Sequence, residues 1–156
     1  MIDRSVTHAT FTLERLYSAT AARVFAAWAD PEAKARWFST PDADHELDFR
    51  VGGREINRSR PDSGPSLTFE SLYRDIVPDE RIVYTSVLHV GQDLATASLT
   101  TVEFRPADRG ARLVLTEQGT FLDGREEPSW RRLGTGDWLD ALGVGLGVGL
   151  GTGGQG

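Results

Sequence analysis

The chain contains no cysteine, which removes disulfides, thiolate metal sites and a cysteine nucleophile together. It also lacks any apolar run long enough to cross a bilayer as a helix. The opening residues, "MIDRSVTHATF", carry no hydrophobic stretch of the signal-peptide kind, so a cytoplasmic setting is the expectation. Positive charge is scarce: 17 Lys and Arg stand against 23 Asp and Glu, for a formal charge of −6. Phosphate backbones need a concentrated basic face. The one cluster of arginines (Arg50, Arg54, Arg58, Arg60) is interleaved with acids, and no nucleic-acid partner is expected. The three histidines, His8, His45 and His89, are far apart, and the acidic stretch "PDADHELD" fits no zinc or calcium spacing. No metal and no other cofactor is expected. No GxSxG elbow occurs, and the glycines of "GVGLGVG" follow a helix instead of a strand, which argues against a nucleotide loop.

What is present is one domain's worth of alternating pattern in 156 residues. "HATFTLERLY" (8–17) puts Phe11 and Leu13 on one face and reads as a first strand. In "WADPEAKARWF" (28–38), Asp30 is a helix cap and Pro31 fits a first helical position, where no N–H is needed. Two short helices are predicted, at 21–29 and 31–38. Val24, Phe25 and Trp28 share one face, and Ala33 and Trp37 another. "HELDFRV" (45–51) alternates Leu47, Phe49 and Val51 against charged residues, and Gly52-Gly53 then reads as a hairpin with two positive-φ positions before "REINRSR" returns.

"SLTFESLYRDIV" and "RIVYTSVLHV" form the next strands, followed by "LATASLTTVEFR" and "ARLVLTEQGTF". The apolar parity slips between Leu99 and Val102, so either a bulge lies there or the register differs from this reading. "EEPSWRRLGTGDWLDALG" is predicted helical, and an antiparallel sheet with one face to bury has only this element to cover it. The expected boundaries are a single domain over 1–142 and a glycine-rich tail over 143–156. That tail holds eight of the 17 glycines. Leu139, Leu142, Leu146 and Leu150 keep helical spacing into it, so it reads either as a helix fraying near Gly147 or as an extended tail. The apolar stretch makes a homodimer conceivable.

In this order and spacing, "ARVFAAWADPEAKARWF", the Gly52-Gly53 hairpin, "YRDIVPDERIVYT", "TVEFRPADRGARLVLTEQGTFLDG" and "GTGDWLDALG" resemble the SRPBCC superfamily (START-like, helix-grip). Within it they resemble the bacterial branch named after the activators of the heat-shock-protein ATPase. The resemblance covers about Ala9 to Leu142. It implies an α+β helix-grip fold: a curved antiparallel sheet of about six to seven strands around a long C-terminal helix, with two short helices between strands 1 and 2. It also implies an apolar cavity between sheet and helix that takes a small hydrophobic molecule. In some relatives cyclase or dehydratase chemistry occurs there, and a chaperone partner is implied by the activators that give the branch its name.

In this sequence the lining of such a cavity would be Trp37, Phe49, Phe69, Tyr73, Tyr84, Leu88 and Leu115. Trp138 and Leu142 would come from the helix, with Glu117 on the same inward parity as Leu115. Glu117 is the one weak catalytic candidate. A desolvated carboxylate there would have a raised pKa and act as acid or base. The competing reading pairs it with an arginine of the terminal helix, as structural ion pairs do. Asp75 is a further polar candidate, and Trp28 and Trp37 either close one end of the sheet or simply fill core.

Overall fold

Two side-chain oxygens set the first helices. Thr20 Oγ1 accepts from the Arg23 amide at 3.2 Å and starts α1 (Ala21–Ala29). Asp30 ends that helix by donating its own N–H to the Ala26 carbonyl, then accepts from the Ala33 amide at 2.9 Å and caps α2 (Pro31–Phe38). Both helices occupy the ranges predicted for them. The computed structural model describes residues 2–150, with side chains described through residue 147. Around the helices run β1 (Val6–Tyr17), β2 (Asp44–Leu47), β3 (Arg54–Ser59), β4 (Leu67–Val77), β5 (Arg81–Val90), β6 (Asp93–Ala107) and β7 (Gly110–Leu122), and then α3 (Pro128–Leu150).

The seven strands form one antiparallel sheet in the order β1-β7-β6-β5-β4-β3-β2, curved around α3: the helix-grip architecture. Register shifts between Tyr73 and Asp75, and between Leu88 and His89, supply bends of the kind that bulges introduce. The inner face brings Phe11, Leu13, Val102, Phe104, Leu113 and Leu115 against Leu139, Leu142 and Leu146 of α3 and Val24, Phe25 and Trp28 of α1. Each fully buried side chain of this size contributes about 1.5–3 kcal/mol. Along β1 the helix lies very close. The Tyr17 hydroxyl donates to the Leu139 carbonyl at 2.8 Å, and a Cβ on Gly143 would stand 3.1 Å from the Tyr17 ring. A glycine in mid-helix is unfavourable by about 1 kcal/mol, but here it admits the tyrosine.

Two expectations need correction. The strand expected over 45–51 stops at Leu47, and Val51 is exposed. The Asp48 carbonyl accepts from the Arg50 amide, and the Arg50 carbonyl from the Gly53 amide, so a local turn outcompetes the ladder. Of the two glycines expected at positive φ, only Gly52 has it (+87°). Gly53 serves by having no side chain, since a Cβ there would lie 2.1 Å from the Asp48 carbonyl oxygen. The backbone of Gly52 and Gly53 then closes on Tyr73 next to its bulge.

The other correction concerns β6. It pairs with β7 without interruption from Thr96 to Ala107, so no bulge lies between Leu99 and Val102. The parity slips because an outward position carries a leucine, while Thr100 faces in. At the C-terminus α3 continues through Leu150, and residues 151–156 of the glycine-rich segment lie outside the described residues.

These contacts separate the glycines by role. Gly53→Ala is expected to destabilise by about 1–3 kcal/mol through overpacking against backbone. Gly134→Ala, whose new Cβ meets nothing within 4 Å, should stabilise α3 by up to about 1 kcal/mol. Urea unfolding of the two variants checks this, and equal midpoints would contradict it.

Candidate functional site

Pro128 opens α3 and places Arg131 over the inner face of the sheet. Its Nη1 donates to Glu117 Oε2 at 2.5 Å, and its Nε and Nη2 donate to Glu126 at 3.0 and 2.8 Å. Thr96 Oγ1 completes the group by donating to Glu126. The guanidinium also lies over the rings of Phe69 and Phe121, at 5.5 and 5.9 Å. Burial pushes the Glu117 carboxyl above the usual range, and the adjacent Arg131 charge only partly opposes this. Burial, then the charge of Glu117, pushes the Tyr84 phenol up as well, so it stays protonated. Glu117 thus faces inward and is engaged by the helix arginine.

Beside this network, β3–β5 and the first half of α3 enclose a cleft of about 220 Å³. Phe69, Leu88 and Trp138 form its apolar walls, and Asn57 and Ser59 contribute polar edges from β3. Thr135 lines it too, and its Oγ1 has no hydrogen-bond partner among the described residues although the residue is only 4% exposed. A buried hydroxyl left unpaired costs about 1–3 kcal/mol, and it is able both to donate and to accept. Trp130 stands exposed at the edge of the cleft.

The ten residues expected around one cavity fall in several places. Phe69, Leu88 and Trp138 line the cleft. Trp37 and Leu142 line a separate groove below α1 and α2. Phe49, Tyr73, Tyr84 and Leu115 pack into the core, with ring centroids 5.0 Å apart for Phe49–Tyr73 and 5.7 Å for Tyr73–Tyr84. Glu117 sits in the arginine network described above. Phe38 lies between a residue of the cleft and one of the groove, its ring 4.5 Å from Trp138 and 5.9 Å from Trp37. Asp75 lies outside all of this, in an exposed pair with Arg81.

A second polar group of the interior escaped the sequence reading. Lys34 Nζ, 1% exposed, donates to Glu55 Oε1 at 2.8 Å, and the Tyr73 hydroxyl donates to the same oxygen at 3.1 Å. His45 Nε2 meets Glu55 Oε2 at 2.8 Å. The ammonium is ringed by Phe38, Trp28 and Trp37, at 4.4, 4.9 and 5.3 Å from the ring centres. Burial pushes the Lys34 pKa down. Burial pushes Glu55 the other way, yet the Lys34 charge and the His45 hydrogen bond outweigh it and hold the carboxyl below its usual range. Three signals were available. Lys34 shares a helix face with Trp37 and Phe38, His45 shares strand parity with Leu47 and Phe49, and Glu55 shares it with Asn57 and Ser59. Among the described residues no group of three or more His, Asp or Glu is placed to hold a metal ion, and no helix is long and apolar enough to cross a membrane.

Comparison with known proteins gives one consistent picture. The sequence profile described as "Activator of Hsp90 ATPase homolog 1-like protein" matches residues 18–147. The solved structure of the Mll3558 protein from Rhizobium loti is 44% identical, with a TM-score of 0.86 over 90% of this chain and 98% of that one. An uncharacterized protein from Rhizobium leguminosarum is 42% identical, with a TM-score of 0.88 over 92% of this chain and 97% of that one. Protein CV1439 from Chromobacterium violaceum is 30% identical, with a TM-score of 0.73 over 88% and 96%. No match is found among curated proteins.

Because its folded-state pKa is lowered, Glu55 contributes stability above the usual value of 4.5 and loses it as pH falls through the lowered one. Glu55→Gln should therefore cost about 3–5 kcal/mol at neutral pH, by leaving a buried ammonium without its partner. The variant should also lose less on acidification than the parent. Urea titrations at pH 7 and pH 4 measure both, and an unchanged acid dependence would contradict the assignment.

Proposed function

The chain belongs to the activator of Hsp90 ATPase homolog 1-like family, and on that premise we propose that it binds a small apolar molecule between sheet and terminal helix. The observation that carries this reading is the cleft of Phe69, Leu88 and Trp138 with the unpartnered Thr135 hydroxyl in its wall. An apolar lining with a few convergent polar groups is the usual form of a small-molecule site. The size is limiting: about 220 Å³ falls below the roughly 300 Å³ at which drug-sized pockets begin. A single planar ring fits that space, and aromatic walls favour one through stacked or edge contacts.

Charge selects as well. Arg131 already faces two carboxylates, so an anionic ligand would meet Glu126 at the cleft edge without a free cation to receive it. A neutral ring with a hydroxyl, carbonyl or amide, placed against Thr135, matches the lining. Catalysis draws no comparable support. Glu117 is bonded to Arg131 and is not among the cleft residues.

Phenol, benzamide, indole and toluene, titrated with thermal unfolding as readout, test the reading. A ligand at about a hundred times its Kd adds about 2.7 kcal/mol, so a rise in Tm is expected for the neutral polar rings. Gly134 lines the cleft, and a Cβ there meets nothing within 4 Å. Gly134→Leu should therefore abolish the rise without loss of stability. Thr135→Val should weaken phenol and benzamide but leave toluene unchanged. Absence of any shift across the four, or shifts that survive Gly134→Leu, would contradict the proposal.

A further inference from the structure

The second opening in the interior is independent of the cleft. Between the α1–α2 pair and the later turns of α3 runs a groove of about 490 Å³, within the usual range for a ligand site. Its walls are small residues, Ala26, Ala27 and Ala33 on one side and Ala141 and Gly145 on the other. Trp37, Leu142 and Leu146, all buried, form its floor. Two guanidinium groups border it, those of Arg23 and Arg36.

Ten of the fourteen other arginines meet a carboxylate; Arg60, Arg74, Arg109 and Arg132 do not among the described residues, but none of these four borders the groove. Arg23 and Arg36 have no such partner among the described residues. Arg23 Nη1 is enclosed and makes no hydrogen bond, while Nη2 reaches only the Leu146 carbonyl at the limiting distance of 3.5 Å. The one acid on the groove is Asp30, whose Oδ2 accepts from the Ala33 amide and which forms no ion pair with either arginine. A partly enclosed guanidinium with no carboxylate partner and one nitrogen unbonded favours an anion, and its planar fork matches a carboxylate.

The walls decide what accompanies the anion. Alanine, glycine and leucine side chains offer no hydrogen bonds, so a peptide laid here would leave backbone N–H and C=O groups unpaired. An alkyl chain has no such groups. We propose that this groove is a second binding site, for an aliphatic monocarboxylate. The carboxylate sits on Arg23 and Arg36, and the chain lies on Trp37, Leu142 and Leu146.

The probes are octanoate, octanol and octylammonium, titrated into the full chain and followed by the backbone and tryptophan indole NMR signals. Octanoate should saturate at or below about 1 mM, shifting Ala27, Ala141 and the Trp37 indole while the Trp138 indole stays in place. Octanol and octylammonium should bind at least about tenfold more weakly, as should octanoate to Arg23→Gln, because a charged hydrogen bond is lost. Gly145→Leu places its side chain where a Cβ meets nothing within 4 Å. It should remove octanoate binding without lowering the parent's Tm. Three results would overturn the proposal: octanol binding as tightly as octanoate, binding unchanged in Gly145→Leu, or binding lost in Gly134→Leu and retained in Gly145→Leu. The last would move octanoate to the cleft, leaving a ligand site there but overturning its preference for neutral rings.

Discussion

A lysine ammonium and a glutamate carboxylate, both out of water, tie α2 to β3. Removing two such charges from solvent costs several kcal/mol per ion, and the pair is tolerable only when every remaining donor and acceptor is satisfied. Here His45 and Tyr73 complete Glu55, and Phe38, Trp28 and Trp37 surround Lys34. Ser39 and Asn57 add a second tie between the end of α2 and β3, at 2.8 Å. Trp37 Nε1 fixes α2 to α1 by donating to the Ala27 carbonyl. Held in this way, α2 presents Phe38 to Trp138. Trp138 lines the small cleft, and Trp37, on the other side of Phe38, lines the groove.

The two openings differ in chemistry because their walls come from different parts of the same helix. Near its start, α3 supplies Arg131, Thr135 and Trp138, and the adjacent acids leave no spare positive charge. Two turns later it supplies Ala141, Leu142 and Gly145, opposite helices that carry unpaired arginines. The glycines of α3 divide along the same line. A Cβ on Gly136 would stand 3.2 Å from Arg15, and one on Gly143 3.1 Å from Tyr17, so these two glycines let the helix seat against β1. Gly134 and Gly145 face open space on the two cavities.

Much of the architecture could be read from the residues. Asp30-Pro31 separates two helices because its cap and its missing N–H both belong at a helix start, and the alternation of the strands is legible wherever the outer face is polar. Where local chemistry competed, pattern misled. Asp48 to Val51 alternates like a strand, but the Asp48 carbonyl finds a nearer donor in Arg50. The outward Leu99 imitates a slipped register that the unbroken β6–β7 pairing excludes. The buried charges were hidden for a different reason. Lysine and glutamate are almost never fully buried unless paired, and the partners here lie 21 residues apart on a helix and a strand. Nothing in either local segment announces the other. For the same reason the aromatic lining looked continuous in sequence, while in space Phe38 breaks it.

The most direct test is a double-mutant cycle on Lys34→Met and Glu55→Met, with urea unfolding at neutral pH as the readout. If the pair is what holds α2 in place, each single change strands a buried charge. The double change should then recover most of the loss, with a coupling energy of about 2 kcal/mol or more. Additivity of the two single effects within about 0.5 kcal/mol would show that the charges do not depend on one another. The interior would then have to be divided by aromatic packing alone.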